Sequence, residues 1–109
     1  MNLRINSHHL EVTPGIRDHL ENRLDRIRKH FDHVIDASAF LMVDKAKEKG
    51  LRQTAELTLH LKGKELFAQA HHEDLYQAMD AVIDKLDRQV IKHKERIQDH
   101  QHAKHQLQS

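Results

Sequence analysis

The feature that most restricts this chain is a change of hydrophobic period at Ile35, reversed after Ala70. Between those points apolar and polar residues alternate: Ala37, Ala39, Leu41 and Val43, then Ala55, Leu57, Leu59 and Leu61, then Leu66, Ala68 and Ala70. A period of two puts one apolar row on one face of a strand. On either side the period is helical. Ile16, Leu20, Leu24, Ile27 and Phe31 precede the strands, and Leu75, Met79, Val82, Leu86, Val90 and Ile97 follow them. A further alternation at Leu3 and Ile5 predicts a short strand ahead of the first helix.

Local signals set the boundaries. Thr13 can cap a helix and Pro14 is tolerated at its first position, so a helix is predicted from residue 14 to about 30. The charged stretch KAKEKGL at 45–51 is a loop with Gly50 as its turn residue. Lys62-Gly63-Lys64 is a tight connection that makes a hairpin of the third and fourth strands. Asp74 starts the last helix, predicted to end near Ile97. The order is β-α-β-β-β-α. Each strand has one apolar face, so both helices should cover the same side. That is an α/β (α+β) fold: a two-layer sandwich with a four-stranded mixed sheet and two helices packed on one face. The first helix can serve as a right-handed crossover joining parallel strands one and two. Residues 1–98 are expected to form the domain, and the histidine-rich polar tail 99–109 to be disordered.

Length and composition narrow the function classes. A chain of 109 residues holds one domain and not two. Cysteine is absent, which removes disulfides and thiol chemistry. The start, MNLRINSHHLEV, has no apolar signal core, and no apolar run approaches the roughly 20 residues that span a bilayer. A cytoplasmic protein without a membrane partner is the expectation. The net charge of +1 excludes a bulk polycation, so any nucleic-acid binding must use a patch. Twelve histidines would add positive charge as pH falls through about 6.5, tightening any anion binding.

The last helix sorts into three faces at about 100° per residue. Besides the apolar row, Lys85, Arg88, Lys92 and Arg96 line a second side, and Asp80, Asp84 and Asp87 a third. A ladder of cations suits a polyanion. The ordinary account is that acid early and base late complement the helix dipole, with Asp84 and Arg88 as an i, i+4 pair. The first helix repeats the pattern with His19, Arg23, Arg26 and His30 on one flank. Two basic flanks are harder to attribute to chance than one.

Other chemistries fit less well. No Gly-rich phosphate loop and no Ser-His-Asp spacing occurs, so no enzyme and no cofactor are implied. His71, His72, His100, His102 and His105 are imidazoles without the spacing that completes a metal site, and none is assigned. Phe40 and Phe67 on an open sheet face can stack bases, as in a generic structured-RNA-binding module with another target, the alternative reading. Exposed aromatics on neighbouring strands more often pair with each other.

The order of elements, together with particular residues, resembles the ribosome hibernation-promoting factors, a family related to the ribosome-associated inhibitor also called protein Y. The resemblance runs from Leu3 to about His100 and is most specific in EDLYQAMDAVIDKLDRQVIKHK at 73–94. Within it Asp74-Leu75-Tyr76, Ala78, Asp80, Lys85-Leu86, Gln89 and Lys92-His93-Lys94 sit as in the family's last helix. The E-V-T-P start of the first helix, Phe31-Asp32, Val43-Asp44-Lys45 and the strand AELTLHL also match. The resemblance implies a partner and a mode of action. These proteins bind the small ribosomal subunit and its rRNA in the mRNA/tRNA channel and inhibit translation by occupancy in stationary phase or stress. On this reading Arg23, Arg26, Lys85, Arg88, Lys92, Lys94 and Arg96 contact RNA, with Lys45 and Lys47 as secondary candidates. Lys94 rests on the family pattern alone, Arg88 and Arg96 mainly on the ladder. Tyr76 is read as packing at the helix start. The chain ends before the second, dimerising domain of the long form, so it resembles the short form, a monomer off the ribosome. Its tail is not acidic, which favours the type that promotes ribosome dimers with a separate modulation factor.

Overall fold

The computed structural model describes the backbone of residues 2–31 and 33–108, and side-chain surroundings for 2–31 and 33–97. Its elements are β1 (Asn2–His8), α1 (Pro14–His30), β2 (Val34–Val43), β3 (Gln53–Leu61), β4 (Lys64–His72) and α2 (Leu75–Gln108). One turn of 3-10 helix, Lys49–Leu51, lies in the loop before β3. The strands are ordered β1-β2-β3-β4, with β1 parallel to β2 and the other pairs antiparallel. This is the mixed sheet and the α+β class that the periodicity predicts.

The register explains the core. Leu3, Ala37, Leu59 and Leu66 form one row across the sheet, and Ile5, Ala39, Leu57 and Ala68 the next. Against these rows are buried Ile16, Leu20, Leu24 and Ile27 of α1 and Ala78, Met79, Val82, Ile83, Leu86 and Val90 of α2. Alanines under the helices let them lie close, while Leu57 and Leu59, fully buried in β3, fill the layer between. Among the described residues, no helix covers the opposite face of the sheet. There Arg4, Ser38, Thr58 and Phe67 share a row, followed by Asn6, Phe40, Glu56 and Gln69.

The ends of the helices follow their sequence signals. Thr13 Oγ1 accepts from the Ile16 N–H at 3.2 Å, ahead of Pro14. Arg28, Lys29 and His30 occupy the last turn of α1, where the dipole favours cations. Asp74 Oδ1 accepts from the Tyr76 N–H at 2.8 Å. Gly63 takes φ +77°, which turns β3 into β4 without the Cβ penalty another residue would meet.

In extent, α2 departs from expectation. It runs to Gln108 and not to Ile97, through the segment expected to be an unstructured tail. Neither Gly nor Pro occurs between Leu75 and Gln108, and a helix already nucleated by packing propagates through such residues at little cost. Apolar periodicity ends with Ile97, which packs against the core, and does not mark where the helix stops. The helix is about 50 Å long at 1.5 Å per residue, and the molecule measures 60 × 26 × 19 Å.

Candidate nucleic-acid interface

α2 lies over β3 and β4 and against α1, so its two charged sides meet different neighbours. On the β4 side, Lys85 Nζ donates to the Gln69 carbonyl at 2.8 Å and Gln89 Nε2 to the Phe67 carbonyl at 2.8 Å. β4 is an edge strand, and its outward carbonyls have no strand partner. Two side chains one helical turn apart therefore cover alternate carbonyls and fix α2 along the edge. The ammonium of Lys85 stays exposed with donors to spare. One turn further on, Lys92, His93 and Arg96 line an open cleft with Lys64, Glu65 and Leu66 of β4. Burial, then the charges of Lys64 and Arg96, push the His93 imidazole below its ordinary pKa. Arg88 points to solvent between the cationic and acidic sides, as its place on the helix requires.

The other side of α2 faces α1. Asp80 Oδ1 accepts from Arg23 Nε at 3.1 Å and lies 2.7 Å from His19 Nε2. Burial works to raise the Asp80 pKa. The hydrogen bonds and charges of His19 and Arg23 outweigh it and hold the carboxyl below its ordinary value. Arg26 borders the same groove with Ile83 and Asp84. Lys94 Nζ donates to the His30 carbonyl at 3.1 Å, one of the carbonyls left open at the end of α1. Tyr76 meets His19 edge-to-face at 5.0 Å, the packing contact expected at the helix start. The acidic side of α2 is thus mixed: Asp84 is exposed, Asp80 is paired, and Asp87 has a buried Oδ1 without a hydrogen-bond partner among the described residues.

The basic flanks of the two helices therefore do not merge. His19, Arg23 and Arg26 look into the inter-helix groove toward the aspartates, while Lys85, Lys92 and Arg96 look the other way, along β4. Lys45 and Lys47 stand at the far end of the sheet, exposed on the loop between β2 and β3. That loop is shaped by its own bonds: Asp44 Oδ1 accepts from the Ala46 N–H at 3.0 Å, and Arg52 Nε donates to the Lys47 carbonyl at 3.1 Å. Lys45 shares an open cleft with Lys49, Arg52, Glu73 and Asp74 beside the start of α2. Lys49, Arg52 and Lys64 are candidate contacts the sequence reading missed. Only the hairpin register brings Lys64 beneath the later turns of α2.

The alternative chemistries meet the structure unevenly. Phe40 and Phe67 are both exposed on the open face, but they are not on neighbouring strands: β3 separates them, and they fall in different rows. They are too far apart to pair, about 10 Å by strand spacing alone. Among the described residues, no group of three or more His, Cys, Asp or Glu side chains is placed to hold a metal. His71 Nδ1 is hydrogen-bonded to the buried Thr54 hydroxyl at 2.9 Å, and His72 Nδ1 accepts from the Asp74 N–H at 3.0 Å. His100, His102 and His105 lie outside the described side chains. Among the described residues, no helix is long and apolar enough to cross a membrane.

Comparison with known proteins supplies the family. Residues 3–98 match the model of the family described as Sigma 54 modulation protein / S30EA ribosomal protein. A ribosome hibernation promoting factor of Azotobacter vinelandii is 44% identical over 96 residues, covering 88% of this chain and 85% of that one. Its Escherichia coli K12 namesake is 33% identical over 100 residues, covering 92% and 100%. The chain superposes on the N-terminal domain of Thermus thermophilus Protein Y with a TM-score of 0.72 at 31% identity, covering 83% of this chain and 96% of that one. A ribosomal subunit interface protein from Coxiella burnetii shares the fold, with a TM-score of 0.77 at 24% identity over 87% and 99% of the two chains. With this match over nearly its whole length, on the β-α-β-β-β-α frame just described, the chain belongs to the Sigma 54 modulation protein / S30EA ribosomal protein family, that of the ribosome hibernation promoting factors.

Proposed function

We propose that the protein is a ribosome hibernation factor of the cytoplasm. It binds the small ribosomal subunit in the channel used by mRNA and tRNA and inhibits translation by occupancy, without catalysis. Family membership supports the ribosome as target. The observation that carries the mode of binding is the row of cations on the β4 side of α2, Lys85, Lys92 and Arg96, with Lys64 beside it. Folded RNA is held largely by shape and backbone, and cation–phosphate contacts supply affinity there. Lys45 and Lys47 extend the cationic surface at the other end of the sheet. Arg88 adds a charge on the solvent side of α2. Arg23, Arg26 and Lys94 are secondary contacts, because Arg23 is tied to Asp80 and Lys94 to the end of α1. Residues 1–98 carry this activity, and the protein is a monomer off the ribosome. With a separate modulation factor it promotes ribosome dimers.

The test is co-sedimentation with purified ribosomes and isolated small subunits through sucrose gradients. Salt-sensitive comigration with the small subunit is expected, with a shift to ribosome dimers when modulation factor is added. No comigration at low salt would overturn the ribosomal target. Comigration without dimers would overturn the promoting role only.

A further inference from the structure

We propose that the cleft between the β3–β4 hairpin and the later turns of α2 is a site for an RNA backbone phosphate, and that filling it is coupled to proton uptake at His93. This deepens the ribosome-binding reading and rests on it. The cleft has cations on both walls: Lys64 from β4, Lys92 and Arg96 from α2. The carboxylate that borders it, Glu65, lies 3.2 Å from His60 Nδ1, which draws it toward the open face of the sheet. Gln89 is committed to the Phe67 carbonyl. What remains is a concentration of positive charge that a phosphate would neutralise.

His93 sits on the inner side of that charge. Its ring is held edge-on to Phe31 at 5.7 Å, and Phe31 in turn packs on His33 at 5.0 Å. Around His93 lie Lys92 and Arg96 on its own helix and Lys64 and Glu65 on β4, with Phe31 against its ring and His33 on the far side of that contact, packed on Phe31. Lys94, the next residue, turns its ammonium away to the His30 carbonyl. Partial burial and then the neighbouring Lys64 and Arg96 disfavour the imidazolium. A phosphodiester between the three cations cancels that repulsion and adds an attraction of its own, so the proton binds more readily once the cleft is filled. Linkage requires the converse: the protonated protein binds the phosphate more tightly, by up to tenfold per pH unit for one coupled proton.

Two measurements on the full chain test this. The first follows the imidazole signals by NMR from pH 4.5 to 8, in sodium chloride and in sodium sulfate at equal ionic strength. Sulfate is the probe because it does not titrate in that range. The His93 midpoint should lie below the ordinary imidazole value in chloride and move up in sulfate. It should also move up in Lys64→Gln in chloride, which keeps the test open if a His93 variant folds poorly. A midpoint indifferent to both changes overturns the proposal. The second compares wild type and His93→Gln for retention on small subunits at pH 6.0 and 7.5. Wild type should gain several-fold more than the variant on acidification. Equal gains overturn the role of His93 while leaving ribosome binding intact. Absence of binding by wild type at both pH values overturns the ribosomal reading instead.

Discussion

Asp80 receives Arg23 at 3.1 Å and His19 at 2.7 Å on one carboxylate oxygen, so a single side chain joins α1 to α2. All three partners are partly exposed, and solvent screens what they contribute. Asp80→Asn should therefore lower stability at pH 7 by about 1 kcal/mol or less, read by urea unfolding. The pH dependence has a definite sign. The folded carboxyl titrates below its ordinary value, so as pH falls from neutrality the unfolded chain takes up the proton first. Stability supplied by Asp80 is complete above about pH 5 and is lost as pH drops through the folded value. The asparagine variant should show a shallower acid limb; an identical limb would mean that the pair contributes nothing. The helical wheel shows Asp80, Asp84 and Asp87 sharing a side of α2, but not which part of that side meets another helix. That depends on where α1 crosses the sheet, a long-range property of packing. Hence Asp84 faces solvent while Asp80, one turn earlier on the same side, is paired across to α1.

At the level of elements, the hydrogen bonds of Lys85 and Gln89 to the Gln69 and Phe67 carbonyls close the edge that β4 would offer to another strand. On the opposite edge Arg17 Nη1 donates to the Leu3 carbonyl of β1 at 3.3 Å, a lighter version of the same cover. Gln89→Ala should cost about 0.5–1.5 kcal/mol, the net worth of an ordinary hydrogen bond. The double variant Lys85→Ala/Gln89→Ala should in addition self-associate with rising concentration, because the β4 carbonyls are uncovered. Sedimentation velocity would detect it, and a monodisperse double variant would deny Lys85 and Gln89 any guarding role. Here sequence reading reaches far but stops at a clear point. Alternation located β2, β3 and β4 because each buries one face, and the Lys62-Gly63 turn signalled their hairpin. Lys85 was legible as a cation on one side of α2, but its attachment to β4 was not, since periodicity reports a face and not what lies opposite it. The extension of α2 to Gln108 is not legible for a related reason: apolar spacing signals a face turned to a core, and a backbone can stay helical where the sequence carries no such spacing.

For the whole molecule, a net charge of +1 conceals a strong separation of sign. α1 and α2 turn their opposite charges toward each other, at Arg23 and Asp80, which leaves the cations beside β4 without that compensation. Fold and binding should then be separable. Leu57→Ala, in the fully buried middle of β3, should cost about 2–5 kcal/mol. Against the roughly 5–15 kcal/mol that stabilises a typical domain, that is a large loss, visible as a lowered thermal midpoint with no specific effect on RNA. Lys92→Glu with Arg96→Glu should do the reverse. Both side chains are exposed, so the thermal midpoint should hardly move while retention on small subunits collapses. Each lost phosphate contact should also reduce the slope of log affinity against log salt by about one. Arg28→Glu is the control, since Arg28 lies near Asp25 at 3.5 Å and lines a cleft with Leu3 of β1, at the other edge of the sheet from β4. It adds the same sign of charge to the molecule but not to the β4 side, and it should leave the salt slope unchanged. Gradient retention of all three proteins between about 50 and 200 mM salt spans the range where such contacts dominate affinity. If Arg28→Glu weakens binding as much as the α2 double variant does, net charge and not the β4-side array governs recognition, and the assignment of Lys85, Lys92 and Arg96 to RNA fails.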